Sequence, residues 1–151
     1  MRTTDELVRE LADREAIRDL SDRNCDFVWR KDVDGLVSLF TDDGSFIVEG
    51  LEVEAISHGH AELTKVYEKA IAEINPRLFI HTHVVDLLGE NHATGRCYVE
   101  VYSATLGMQR VGWGYYEDEY IKTGSKWKFR GRRYFLDVID TKISLRRTYM
   151  V

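Results

Sequence analysis

Residues 92–129 read HATGRCYVEVYSATLGMQRVGWGYYEDEYIKTGSKWKF, and the period of this stretch is two. Cys97, Val99, Val101 and Ser103 alternate with Tyr98, Glu100 and Tyr102. Such alternation marks a strand with one face buried and the other open to water or a partner. The first set suits an interior. The second, aromatic with a carboxylate, suits a subunit interface. The region around Gly107 and the run Thr123-Gly124-Ser125 are hairpin-type breaks, as is Gly89-Glu90-Asn91-His92 just upstream. Extending the pattern both ways predicts four strands, over residues 78–88, 93–106, 109–122 and 126–139.

Before residue 78 the period is helical. Thr3-Thr4-Asp5-Glu6 fits a capping box, with Thr3 as N-cap and Glu6 three residues on. Ala16, Ile17, Leu20, Phe27 and Val28 recur at helical spacing, so one long helix is predicted to about Lys31. A short second helix follows, with Asp34 as its cap, and Thr41-Asp42-Asp43-Gly44 has the composition of a turn. Residues 45–50, SFIVEG, read as a short strand, and an irregular stretch comes after it. Leu63, Val66, Tyr67, Ala70, Ile71 and Ile74 share one face of a third helix, which Asn75-Pro76 stops. Helices followed by a meander of strands predict an α+β fold: a cone-like barrel of curved, mostly antiparallel sheet wrapped on N-terminal helices. The mouth of such a cone is a natural small-molecule pocket.

The totals agree with one soluble domain spanning residues 1–151. A net charge of −5 gives no electrostatic case for nucleic acid, and the basic run KFRGRR (128–133) reads as charges on a strand. The opening MRTTDELVRE is charged throughout, and no apolar run reaches the length of a membrane span. Cys25 and Cys97 have no metal-ligand spacing. The expectation is a cytoplasmic protein with reduced thiols and no membrane, nucleic-acid or metal partner.

Four segments carry a resemblance: AIRDL (16–20), DVDGLVSLFTDDGSF (32–46), HATGRCYVE (92–100) and GYYEDEYIKTGSKWKF (114–129). The chain resembles the SnoaL-like branch of the nuclear transport factor 2-like superfamily, whose characterised members include scytalone dehydratase, a bile-acid dehydratase and lindane dehydrochlorinase. The resemblance implies a cone-shaped barrel, no required cofactor, a homodimer or homotrimer, and an Asp–His dyad that removes a proton. This chain departs from that pattern. Twelve residues after Ile17, where the dyad Asp is expected, stands Trp29, and the dyad His position falls on Leu78.

Helical phase sorts the end of the first helix. At about 100° per residue from Ile17, Asn24 lies near 340° and Val28 near 20°, while Trp29 lies near 120° and Asp26 near 180°. Asn24 is therefore expected on the buried face, Trp29 at its edge and Asp26 in water. Asn24 matches a pocket-lining position of the dehydratase-like relatives. His81 and His83 share a strand face, and regular alternation from an inward Leu78 turns both outward unless a bulge intervenes. Arg132 matches a substrate-facing Arg of the dehydrochlorinase and shares a face with Tyr134 and Leu136, opposite Phe129, Arg133 and Phe135; its bland alternative is a surface pair with Asp118 or Glu119. The expected catalytic group is His81 as base, Arg132 as anion stabiliser and Asn24 as a positioning donor. Trp29, Phe46, Leu78, Val99, Val101 and Tyr134 are expected to line the substrate cavity. The reaction expected is a cofactor-independent lyase step, dehydration or retro-aldol cleavage, on a hydroxylated ring. Two alternatives stand beside it: a non-catalytic ligand-binding protein, and an accessory subunit like the β subunits of ring-hydroxylating dioxygenases.

Overall fold

The computed structural model describes residues 1–50 and 54–138. Among them are helices α1 (Thr4–Arg30), α2 (Val33–Ser38) and α3 (Gly59–Glu73), and strands β1 (Phe40–Glu49), β2 (Ala55–His58), β3 (Pro76–Leu87), β4 (His92–Ser103), β5 (Gln109–Thr123) and β6 (Lys126–Val138). One sheet holds the strands in the order β2-β1-β6-β5-β4-β3. All pairings are antiparallel except β1 with β6. The sheet stays open, with β2 and β3 as its edges. Its inner face packs on the helices to form one core, in which Val99, Val101, Tyr116, Tyr134 and Leu136 meet Ile17, Leu20, Val28 and Leu63.

The capping box at α1 is complete: the Glu6 amide donates to the Thr3 hydroxyl at 3.2 Å, and the Thr3 amide donates to the Glu6 carboxylate at 2.7 Å. The helix ends at Lys31, in the left-handed region at φ 58. Ile17, Leu20, Ser21, Asn24 and Val28 form its buried face, the arc that helical phase predicts. α1 also covers the free edge of β3. The Cys25 thiol and the Trp29 indole N–H donate to the Leu78 carbonyl, at 3.4 and 2.9 Å, and Arg14 donates to the Val85 carbonyl at 2.5 Å. Covering an edge strand with a helix that takes two of its carbonyls protects it against pairing with another strand.

Several expectations need correction. Asp32, not Asp34, caps α2, accepting from the Gly35 amide at 2.8 Å. Thr41-Asp42-Asp43-Gly44 is not a turn but part of β1. Phe40 pairs with Phe129 and Ser45 with Gly131, so these four residues bulge opposite Arg130 alone. The stretch after Gly50 contains an edge strand, β2, rather than only irregular chain. The strand predicted over 93–106 ends at Ser103, and a 3-10 turn (Ala104–Leu106) follows. Phe129 lies on the inner face and is fully buried, because a register shift near Glu119 and Tyr120 inserts Arg130 and inverts the alternation. Residue 139, the predicted last residue of the fourth long strand, lies outside the described residues, as does the end of the 1–151 span.

Candidate functional site

Between α1, α3 and the inner sheet face lies a cavity of about 30 Å³, close to one water molecule's share of liquid volume. α1 contributes Asn24 and Val28 to its wall, and α3 contributes Val66, Tyr67, Ala70 and Ile71. The strands add Phe46, Leu78, Val101, Tyr116 and Tyr134. The lining is apolar and aromatic, with few polar atoms, which is the ordinary composition of a ligand site. The Phe46 and Tyr67 rings stack at 5.7 Å and 13°. One polar atom stands out. Asn24 Nδ2 is buried and has no acceptor in hydrogen-bonding geometry. Burial pushes the Tyr67 phenol up to about 12, against smaller opposing pulls from Arg132 and the Asn24 amide. Tyr67 therefore keeps its proton at neutral pH and is a donor.

Behind the cavity sits a buried ion pair. The Arg132 and Asp118 side chains are 2% and 0% exposed. Arg132 Nε donates to Asp118 Oδ1 at 2.8 Å, and Nη2 donates to Oδ2 at 3.1 Å and to the Ser21 hydroxyl at 3.4 Å. The guanidinium lies 3.7 Å from the centre of the Tyr116 ring and 4.3 Å from that of Phe129. Burial opposes the arginine charge, but the Asp118 carboxylate outweighs it and the net shift is upward. The Tyr120 hydroxyl donates to Asp118 Oδ2 at 3.1 Å, and His83 Nε2 lies 3.0 Å from the same hydroxyl. Tyr120 has one proton and Asp118 accepts it, so His83 Nε2 must be the donor to the Tyr120 oxygen. That fixes the tautomer and leaves the Nδ1 lone pair outside this chain of bonds. Burial pulls the His83 pKa down, with Asp118 acting against it.

A strand bulge puts His83 there. Ile80 pairs with Val99 and His83 with Cys97, so His81 and Thr82 together face Tyr98. The extra residue reverses the alternation, and His83 turns inward while His81 stays out.

The sequence profile of the SnoaL-like domain matches residues 9–133, most of the chain. The chain belongs to the SnoaL-like family. No curated protein matches it in sequence. Among solved structures, Rv3472 of Mycobacterium tuberculosis, described as of unknown function, is similar at 25% identity and a TM-score of 0.77, covering 87% of this chain and 75% of its own. An NTF2-like protein with a cystatin-like fold from Novosphingobium aromaticivorans shares 23% identity at a TM-score of 0.77, over 100% of this chain and 99% of its own. The hexachlorocyclohexane dehydrochlorinase LinA-type3 of Novosphingobium barchaimii shares 18% at 0.74, over 91% and 97%. The last two show the fold alone.

In this SnoaL-like chain the two positions where the resemblance expects the dyad, Trp29 and Leu78, lie side by side, joined by the indole-to-carbonyl bond. Leu78 does line the cavity, with Asn24, Phe46, Val101 and Tyr134. Trp29 does not. It is 39% exposed, edge-on to Phe79 at 5.6 Å, with the Arg77 guanidinium 5.1 Å from its ring centre. Val99 is buried in the core away from the cavity wall. His81 is on the outer sheet face, its side chain 53% exposed and its Nε2 2.8 Å from Glu100. It cannot serve as base for a ligand in the cavity. Arg132 pairs with Asp118, as the bland reading had it, but in the interior rather than on the surface. Its Nε and Nη2 donors are engaged by Asp118 and Ser21. Sequence reasoning missed Tyr67 as a site residue, reading its helical face only as core. It also missed Asp118 and Tyr120, although both alternate with Tyr116 along one strand face. Among the described residues no three His, Cys, Asp or Glu side chains converge on a metal position, and no helix is long and apolar enough to cross a membrane.

Proposed function

We propose that this SnoaL-like protein takes a small, uncharged, ring-containing molecule into the cone cavity and holds an acceptor oxygen on it with Asn24 and Tyr67. The observation that carries this reading is the buried Asn24 Nδ2, which faces the Tyr67 oxygen but completes no hydrogen bond in good geometry. An unmade bond of that kind costs about 1–3 kcal/mol, and a ligand carbonyl or hydroxyl oxygen would complete it. The Phe46–Tyr67 stack offers a flat surface for the ring. The ligand is uncharged because, among the described residues, no charged side chain lines the cavity, and Arg132, stacked behind Tyr116, is paired with Asp118.

A lyase step is the second reading. The specific observation in its favour is the Asp118–Tyr120–His83 chain, which sets a single tautomer for an imidazole whose neutral form burial favours. His83 would replace His81 as the base only for a ligand that reaches past the cavity wall, since that wall does not include His83. The partners proposed are the small molecule and further copies of the chain, as a homodimer or homotrimer. The protein would work in the cytoplasm.

A panel of cyclic ketones, phenols and cyclic carboxylates, screened by thermal shift, tests this reading. Neutral compounds should raise Tm and carboxylates should not, and Asn24→Leu should abolish the rise. Mass spectrometry of the recovered ligand separates the two readings: an unchanged compound supports binding alone, and a product lighter by water or cleaved at a C–C bond supports the lyase. If carboxylates bind best, or Asn24→Leu binds as well as the parent, the assignment of the site is wrong.

A further inference from the structure

The cavity holds about 30 Å³, whereas an apolar protein cavity that admits benzene measures about 150 Å³. If the cavity is the binding site proposed above, one of its walls must move. The sheet walls are tied by long ladders, each interrupted by one bulge. α1 is bonded to β3 through Arg14, Cys25 and Trp29. α3 is attached differently. It contributes Val66, Tyr67, Ala70 and Ile71 to the cavity. Each of its ends joins the sheet through one residue in the left-handed region, Gly59 at φ 80 and Asn75 at φ 48. A Cβ at Gly59 would meet nothing nearer than the Asp42 carbonyl at 3.8 Å, so glycine is needed there for its backbone conformation, not for space.

The two ends are fastened unequally. At the C-terminal end, the Ser103 hydroxyl donates to the Ile74 carbonyl at 2.6 Å, and the Ala104 amide donates to the Asn75 carbonyl at 3.1 Å. At the N-terminal end the His58 side chain makes no cap bond, and the Glu62 carboxylate accepts from the His58 amide at 3.1 Å, at the end of β2. Among the described residues the polar side-chain link from that end to β1 is His60, whose Nε2 lies 3.2 Å from the Phe40 carbonyl and 3.1 Å from the Thr41 carbonyl. Both partners are acceptors, so Nε2 carries the proton and shares it between them. Those carbonyls stand at the start of the four-residue bulge in β1.

We propose that α3 is the moving wall of the cavity: it rolls between Gly59 and Asn75 to admit the ligand, and His60 is the latch that closes it. Rolling about that line carries Val66, Tyr67 and Ile71 away from Phe46 and Tyr134 without breaking a sheet ladder. Tyr67 then travels with the wall, so ligand contact and closure are completed together. His60 touches no ligand; it is a positioning residue.

Hydrogen exchange by mass spectrometry on the free protein tests the latch without any ligand. His60→Ala should speed exchange over residues 63–71 by up to about tenfold, the loss of roughly one net hydrogen bond, and leave residues 17–28 of α1 unchanged. His60→Gln, which keeps one N–H donor, should restore most of the protection. With cyclohexanone as probe, His60→Ala should raise the association rate by a similar factor. An equal increase across α1 and α3 would mean that His60 only stabilises the fold, and unchanged exchange over 63–71 would mean that α3 is a fixed wall; either result overturns the proposal. If α3 responds as stated but no ring compound binds any variant, the moving wall stands and the proposed occupant is wrong.

Discussion

Asn24 Nδ2 is a buried donor whose contact with the Tyr67 oxygen falls short of hydrogen-bond geometry, so it weakens the empty protein by up to about 1–3 kcal/mol. Asn24→Leu, similar in volume and free of that donor, should raise Tm while lowering affinity for cyclic ketones. A mutant that loses stability and affinity together would show that the amide has a partner in solution. The neighbouring ion pair behaves in the opposite way. Arg132→Met leaves Asp118 buried alone and should cost about 3–5 kcal/mol in urea unfolding. The double variant Arg132→Met/Asp118→Leu should recover much of that loss, because no charge is then stranded. A double variant as unstable as the sum of the two singles would mean that the two side chains are not energetically coupled. His83 adds a pH dependence. Burial holds its folded pKa below the unfolded value, about 6.5. Its contribution to stability is therefore fully present above about pH 6.5 and is lost as the pH falls through the folded value, because the unfolded chain takes up a proton that folded His83 resists. The stability gap between the wild type and His83→Gln should shrink from about pH 7.5 to about pH 5.5. A constant gap would place His83 in water.

At the scale of elements, what the sequence shows and what it hides separate along physical lines. α1 is legible because a capping box and an apolar arc are local: Thr3, Glu6, Ile17, Asn24 and Val28 all fall where phase puts them. The bulges are not legible. Thr41-Asp42-Asp43-Gly44 has the composition of a turn and forms a bulge, since both need small polar residues and relaxed pairing. The insertion before His83 has no residue signature, yet it decides which histidine faces inward. The one at Arg130 moves Phe129 from the outer face to the core. Asp118 is hidden for another reason. A charge on a strand reads as solvent-facing until its partner is known, and Arg132 is fourteen residues away on the next strand. Close strand packing gives a sharp test. A Cβ at Gly114 would lie 1.9 Å from the Phe135 carbonyl oxygen, a backbone atom that cannot swing aside. Gly114→Ala should force β5 from β6 and cost more than the roughly 1–3 kcal/mol of ordinary overpacking. Gly89→Ala, where nothing lies within 4 Å, should stay within about 0.5 kcal/mol of the parent. Equal stability of the two variants in urea would mean that the β5–β6 spacing at Gly114 is wrong.

For the whole molecule, the open question is the outer sheet face. Tyr98, Phe79 and Trp113 are 39, 42 and 44% exposed. Tyr98, Tyr115 and Phe135 run in a row with centroid spacings of 5.6 and 4.9 Å. Charges of both signs are interleaved: Arg96 lies over Tyr115 at 5.5 Å, and Glu100 bonds His81 at 2.8 Å and Arg110 at 3.0 Å. A contiguous aromatic face of this kind is unusual on a free monomer. Both signs on one patch make it complementary to its own copy, as a two-fold interface requires. Light scattering behind a sizing column should therefore give a multiple of 17.6 kDa at micromolar concentration, and Tyr98→Asp/Trp113→Asp should give the single-chain mass. The ligand cavity is on the inner face, walled by residues of one chain. The dissociated variant should thus still bind the cyclic ketones that the parent binds. Loss of binding on dissociation would show that a neighbouring copy completes or braces the site. A wild-type chain that remains at 17.6 kDa at every concentration would leave the aromatic face to a different protein and would favour the accessory-subunit reading.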